Sequence, residues 1–200
     1  MISNRSYAAA RQRLSGHGAA GGVLQSIEIV ISLIKMIRKA LLNDMDSILS
    51  IVKDIVIDMK KNGNDQWTEA YPVFEDFYAD ISSEEFFVDQ DDSGNIMSFV
   101  CLNTTEPPEY ETVFRQSDQK ALVIHRLAVN PGFQGRGLAK KIIMFAEQRA
   151  KEMDLNFLRS DTCVQNPAMN SLFEKLQYRN VGKIHFSDCK YEFNCYEKSF

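Results

Sequence analysis

Apolar positions change their spacing several times along the 200-residue chain, and each change marks an element. Residues 1–22, MISNRSYAAARQRLSGHGAAGG, carry no apolar period and are small, basic and glycine-rich, which predicts disorder. Val23 to Ile34 is apolar but interrupted by Gln25, Ser26, Glu28 and Ser32, and is too short to span a bilayer. From Met45 the apolar set Ile48, Leu49, Val52, Ile55, Val56 and Met59 recurs at helical spacing. Asn43-Asp44 supplies a cap at its start and Gly63 a stop at its end. Tyr71-Pro72 opens a second helix through Phe74, Phe77, Tyr78 and Ile81, with the proline at the first helical position. Phe86–Val88 and Ile96–Cys101 predict two strands joined by the turn Asp91–Asn95. Thr104 to Gln119 is a long polar loop containing Pro107-Pro108, and loops of that length are usually functional or mobile.

The second half alternates strand and helix. Ala121–Val129 reads as a strand that ends at the turn cluster Asn130-Pro131-Gly132, and a helix runs from Gly137 to Met153. Asn156–Ser160 predicts a strand. Pro167–Leu176 predicts a short helix capped by Asn166, and Tyr178–Phe186 with Tyr191–Glu197 a hairpin around Ser187-Asp188.

Composition adds bounds. Hydrophobic content of 44% and charged content of 25% suit one globular domain, or one domain with an appendage. The net charge of −4 divides into +3 over residues 1–35 and −7 over the rest. An acidic body argues against nucleic acid as the main partner and is compatible with a cationic substrate. Cys101, Cys163, Cys189 and Cys195 form no CxxC and no zinc spacing, so no metal site is expected. They read as reduced thiols of a cytoplasmic protein. The apolar run near the N-terminus has no small-residue cleavage site after it, so neither secretion nor a membrane is expected. The Arg- and Ser-bearing, acid-free start does resemble a mitochondrial transit peptide.

The chemistry concentrates in LVIHRLAVNPGFQGRGLA, residues 122–139. A strand, a glycine-rich turn and a helix in that order aim orphan N–H groups and the positive helix end at one point, a site for phosphate. The P-loop pattern is absent. A dinucleotide fingerprint lacks its third small residue, since Gly135 and Gly137 are followed by Lys140. Asp161 lies at the right distance for its ribose ligand, which keeps that reading open. The pattern Gln/Arg-x-x-Gly-x-Gly/Ala is met by Gln134, Gly137 and Ala139. Upstream lies HRLAVNPGFQ and downstream NPAMNSLFEKLQY. With these flanks the loop resembles the acetyl-CoA pyrophosphate loop of the GNAT superfamily of N-acetyltransferases, over about Met36 to Phe200.

The resemblance implies an α/β GNAT fold: a mixed, mostly antiparallel central sheet flanked by helices on both faces. Met36–Ala40 becomes its opening strand, residues 36–200 the domain, and residues 1–35 an upstream extension or added leader. It implies direct transfer of acetyl from acetyl-CoA to a primary amine, carried by a small molecule or a peptide. A homodimer is compatible with it. The rival reading is a non-catalytic acyl-CoA-binding or sensing domain.

Site residues follow by matching positions. Gln134, Gly135, Arg136, Gly137, Leu138 and Ala139 would hold the pyrophosphate. The amides of Leu127 and Val129, with Ala128 between them, would take the pantetheine arm and thioester oxygen. Asn166 matches a pantetheine contact, although capping alone explains it. His125 is the candidate base, because HRLAV resembles HALAV of one branch of the family; a strand histidine bonded to its neighbours is the alternative. The family's other common base position holds Val123. Its usual tyrosine acid is replaced by Phe173, and Tyr178 matches a packing aromatic. Trp67 and Tyr71 fall where the family builds its acceptor wall, although Trp67 would equally serve as an anchor between helix and sheet.

Overall fold

A computed structural model describes residues 36–114, 119–187 and 189–200. The expectations for residues 1–35 fall outside it. The elements are β1 (Ile37–Lys39), α1 (Met45–Lys61), α2 (Phe74–Ser82), β2 (Phe86–Gln90), β3 (Ile96–Asn103) and β4 (Ala121–Val129). There follow α3 (Leu138–Glu152), β5 (Phe157–Cys163), α4 (Pro167–Lys175), β6 (Arg179–Ile184) and β7 (Phe193–Ser199). One sheet runs β1-β2-β3-β4-β5-β7-β6. Every neighbouring pair is antiparallel except β4–β5. That pair is parallel because the helix α3 carries the chain back across the sheet between the two strands. The mixed sheet is the one expected from the resemblance. It excludes the doubly wound parallel fold of the dinucleotide reading.

The periodic stripes explain which helix covers which face. Ile48, Ile51, Val52, Ile55 and Val56 of α1 and Phe77 and Ile81 of α2 pack on Phe86, Val88 and Phe99. Ile142, Ile143 and Ala146 of α3 and Phe173 of α4 cover the opposite face with Leu122, Ile124 and Leu158. A third cluster gathers Tyr110 and Phe114 over Val123, Phe193 and Cys195. Val123 is two residues from His125, and His125 pairs with Cys101, which lies under α1 and α2. The segment carrying Tyr110 therefore sits on the α1/α2 face.

Several local expectations need correction. Asp44 does not cap α1 with its side chain. Its carboxylate accepts the Leu41 amide (2.8 Å) and grips Arg38 through two hydrogen bonds, starting a 3-10 turn at Leu42–Asp44 that leads into the helix. Pro72 lies outside α2: the cap is Val73, whose amide is accepted by the Asp76 carboxylate (2.8 Å). The long loop contains a 3-10 turn, Pro108–Thr112. The strand expected to stop at Ser160 continues to Cys163, because its pairing with β7 runs from Phe157↔Ser199 to Cys163↔Phe193.

Candidate active site

That extra length creates a cleft. β4 pairs with β5 from Ala121↔Phe157 only as far as Ile124↔Ser160, where the Ser160 hydroxyl donates to the Ile124 carbonyl (3.1 Å). Beyond this rung β4 stays with β3 to Val129 and β5 stays with β7, so the two strands part. A bulge bends β4 at the same place. Phe99 faces Ala128 and Cys101 faces His125, so Arg126 and Leu127 together oppose Val100. Arg126 takes a left-handed φ of 48°. Its guanidinium is fixed by a bidentate pair with Asp80 of α2 (2.7 and 2.6 Å), which offsets the backbone strain. The Asn130 amide donates back to Met97 on β3. Strand alternation turns the Ala128 amide the same way and leaves those of Leu127 and Val129 facing the side β5 has vacated.

The glycine loop lies at the end of β4. Gly135 and Gly137 adopt φ of 74° and 79°, and Gly137 is the residue that caps α3. A Cβ on either would meet no protein atom within 4 Å, so both border open space above the free amides of the first helical turn. Neighbouring contacts hold the loop. Asn130 accepts the Gly132 amide and donates to the Ile96 carbonyl, Gln134 donates to Asp58 (3.3 Å), and Arg136 lies over the Phe133 ring. One turn into α3, Lys141 is paired with the fully buried Asp89 of β2 (2.6 and 2.7 Å). An open, glycine-bordered helix start of this kind fits the two phosphates of a pyrophosphate.

The other wall comes from the α1–α2 connection. Gln66 reaches the outer end of β5, where its side-chain oxygen accepts from the Thr162 hydroxyl and the Cys163 amide (both 3.3 Å) and lies 3.5 Å from the Asn166 amide nitrogen. Asn166 caps α4 by accepting the Met169 amide, so its cap role and its place at the cleft end coexist. Trp67 is only 5% exposed and stacks on Phe99. It backs the wall from within the core and has little surface for a ligand. Tyr71 is exposed, and its hydroxyl accepts from Arg126 (3.3 Å).

His125 sits on the same sheet face. Its Nε2 faces two acceptors, the Asn103 side-chain oxygen and the Thr105 carbonyl, each at 3.1 Å. A nitrogen between two oxygens must carry the hydrogen, so Nε2 is a donor. Burial, helped by the Arg126 charge, brings the imidazole down to about 4, and the ring is neutral at neutral pH. Phe173 is 1% exposed and lies against the rings of Tyr178 and Tyr196. Tyr178 is buried, and its hydroxyl bonds Glu147, in keeping with the packing role expected of it.

Sequence reading missed the polar residues that complete this site. Arg126 and Asp80 lie 46 positions apart and look like surface charges until the fold joins them. In sequence Asp161 reads only as the ribose ligand of the alternative fold, and Tyr110 is one residue of the long polar loop Thr104 to Gln119. The parting of β4 and β5 is the signal that makes Asp161 visible, and it is a property of pairing rather than of residue type.

The sequence profile described as the Acetyltransferase (GNAT) family matches residues 51–178. The chain belongs to that family, and GNAT acetyltransferase activity in general follows from it. It is 22% identical over 147 residues to an uncharacterized N-acetyltransferase, YesJ, of Bacillus subtilis (strain 168), covering 72% of this chain and 81% of that protein. Among solved structures it resembles a GNAT-family acetyltransferase from Streptococcus agalactiae 2603 (25% identity, TM-score 0.70). A GNAT-family acetyltransferase from Listeria monocytogenes 4b F2365 is similar in fold (22% identity, TM-score 0.67). Each comparison covers 82% of this chain and 94% of the other.

Proposed function

We propose that this protein transfers acetyl from acetyl-CoA directly to a primary amine within a ternary complex. The observation that carries the reading is the parting of β4 from β5 after Ile124 and Ser160, in line with the open glycine loop at the start of α3. The amides of residues 135–139 take the pyrophosphate, with Gln134 and Arg136 shaping the loop. The Leu127 and Val129 amides take the pantetheine arm and the thioester oxygen, with Ala128 as apolar wall and Asn166 at the far end of the cleft. The acceptor enters from the α1/α2 face against Tyr71, with Trp67 behind it.

The chemistry asks little more of the protein. A thiolate is a good leaving group, so holding amine and thioester in contact and placing N–H donors where oxyanion charge develops supply most of the acceleration. The sensing alternative draws on Phe173, since the usual tyrosine hydroxyl is missing. One experiment separates the readings. Titration calorimetry should show acetyl-CoA binding, and thiol release should depend on added amine, with an acetylated product seen by mass spectrometry. Binding without amine-dependent release would favour the sensing domain. No binding would remove both.

A further inference from the structure

Asp161 is the first β5 residue beyond the last rung shared with β4, and its carboxylate lies on the same sheet face as His125. It keeps partial exposure there beside the buried Tyr110 and Cys195. Its side-chain partner is the Tyr110 hydroxyl, which donates at 2.7 Å from a residue that is itself fully buried. Among the described residues no lysine or arginine forms an ion pair with Asp161. The neighbouring cations are committed elsewhere: Arg126 to Asp80, Arg159 to Glu106 and Glu197. A half-buried carboxylate met, among the described residues, by a neutral donor and no cation is costly to the fold, and such groups cluster at functional sites.

We propose that Asp161 docks the ammonium of the acceptor and accepts its proton, and that the acceptor is a cationic primary amine with no carboxylate beside the amino group. This rests on the acetyltransferase reading above. The charge of the pocket gives the substrate class. Glu109 acts on Asp161 from the Tyr110 turn with the same sign, and Asp76 adds negative charge near Tyr71, on which Asp161 also acts. An ammonium satisfies this field. A carboxylate next to it would meet like charge, and the guanidinium of Arg126 is already neutralised by Asp80.

The ammonium passes one proton to the Asp161 carboxylate, and the freed lone pair forms the C–N bond at the acetyl carbonyl. The C–S bond breaks and sulfur leaves with its electron pair. The second proton leaves the nitrogen for the thiolate through water, and Asp161 returns its own proton to solvent. Tyr110 is a positioning residue, since its hydrogen bond fixes one carboxylate oxygen and favours the charged form.

The groups that face Asp161 are Tyr110 and Glu109 from the turn, Cys195 from β7 and Tyr71 from the α1–α2 connection. Burial pushes the carboxyl up to about 6, Tyr110 opposes this, and Glu109 adds to it. The kcat/KM of the wild type should therefore rise with an ascending limb near pH 6. Asp161→Asn should keep acetyl-CoA affinity in calorimetry, lose about 10²–10⁴-fold in kcat/KM and lose the limb. Tyr110→Phe should move the limb to higher pH. His125→Gln, which keeps a donor toward Asn103 and Thr105, should retain the limb. Folding is read separately. A carboxyl raised in the folded state costs stability once pH exceeds its unfolded value near 4, so Asp161→Asn should melt higher than wild type at pH 8 and equal to it at pH 4.

Matched acceptors test the class: phenethylamine against phenylalanine, agmatine against arginine and tyramine against tyrosine, with the carboxylate-free member preferred in each pair. Wild-type kcat/KM and an intact limb in Asp161→Asn, or loss of the limb in His125→Gln alone, would overturn the assignment. Preference for the carboxylated members would overturn the substrate class. In either case the acetyltransferase reading would survive. A wild type that binds acetyl-CoA yet releases thiol with none of the six would overturn the substrate class and favour the acyl-CoA-sensing reading instead.

Discussion

Lys141→Met should lower the stability of the fold by about 3–5 kcal/mol at pH 7, the usual result of removing one partner of a buried ion pair. Asp89 has no exposed surface and Lys141 very little, and two short contacts join them. Burial already raises the Asp89 carboxyl, and Lys141 is the main force that holds it down. Without the lysine, burial acts unopposed and the carboxyl rises further above its unfolded value. The sign follows. The variant's deficit is fully expressed above the new folded value and fades as pH falls toward the unfolded value near 4, where the carboxyl is protonated in both states. Thermal melts at pH 7 and pH 4 check this, since a domain of this size loses about 2–4 °C per kcal/mol. Adding Asp89→Val to Lys141→Met should recover much of the loss, because a buried pair replaced on both sides is nearly neutral. Unchanged melting of the single variant at pH 7 would sink the argument. The pair ties the first turn of α3 to β2, so the element that holds the glycine loop is anchored by charge as well as by its apolar face.

The fold was legible wherever one periodic pattern had one meaning. The α1 stripe, the hairpin at Asp91–Asn95 and the strand–glycine–helix unit around Gly137 each combine a period with a boundary residue, and the structure keeps all three. Boundaries moved where a side chain served a longer-range partner. Asp44 looks like a helix cap in sequence but is drawn to Arg38, and Pro72 looks like a first helical residue but precedes the true cap at Val73. The proposed cofactor half of the site was readable because backbone would do the work there, and glycine and turn residues report backbone geometry directly. The proposed acceptor half was not. Its polar groups come from α2, a 3-10 turn, β4 and β5, and only tertiary pairing brings Asp80 to Arg126 and Tyr110 to Asp161. Trp67 shows the same limit from the other side: an aromatic in a loop is equally a ligand wall or an anchor until its stacking partner, here Phe99, is known.

Gly137→Val should abolish useful acetyl-CoA binding while leaving the protein folded. Two costs act at this position. The φ of 79° lies in the left-handed region, which for a β-branched side chain costs about 1–3 kcal/mol. Strain alone lowers the melting temperature by several degrees and has no direct claim on a ligand. The second cost is steric. A Cβ at Gly137 points into space with no protein atom within 4 Å, where a pyrophosphate must approach the first-turn amides of α3. The isopropyl group occupies that approach, so the charge-assisted hydrogen bonds to the phosphates cannot form. Losing two of them, at about 1.5–3 kcal/mol each, weakens binding by roughly 10²–10⁴-fold. Gly94 separates the two effects. It lies in the β2–β3 turn with a similar φ of 85° and equally open space, so Gly94→Val carries the strain without touching the loop. Calorimetry with acetyl-CoA should show near wild-type affinity for Gly94→Val and no measurable heat for Gly137→Val, with both variants melting below wild type. Equal affinities in the two valine variants would mean that the pyrophosphate does not rest on this helix start.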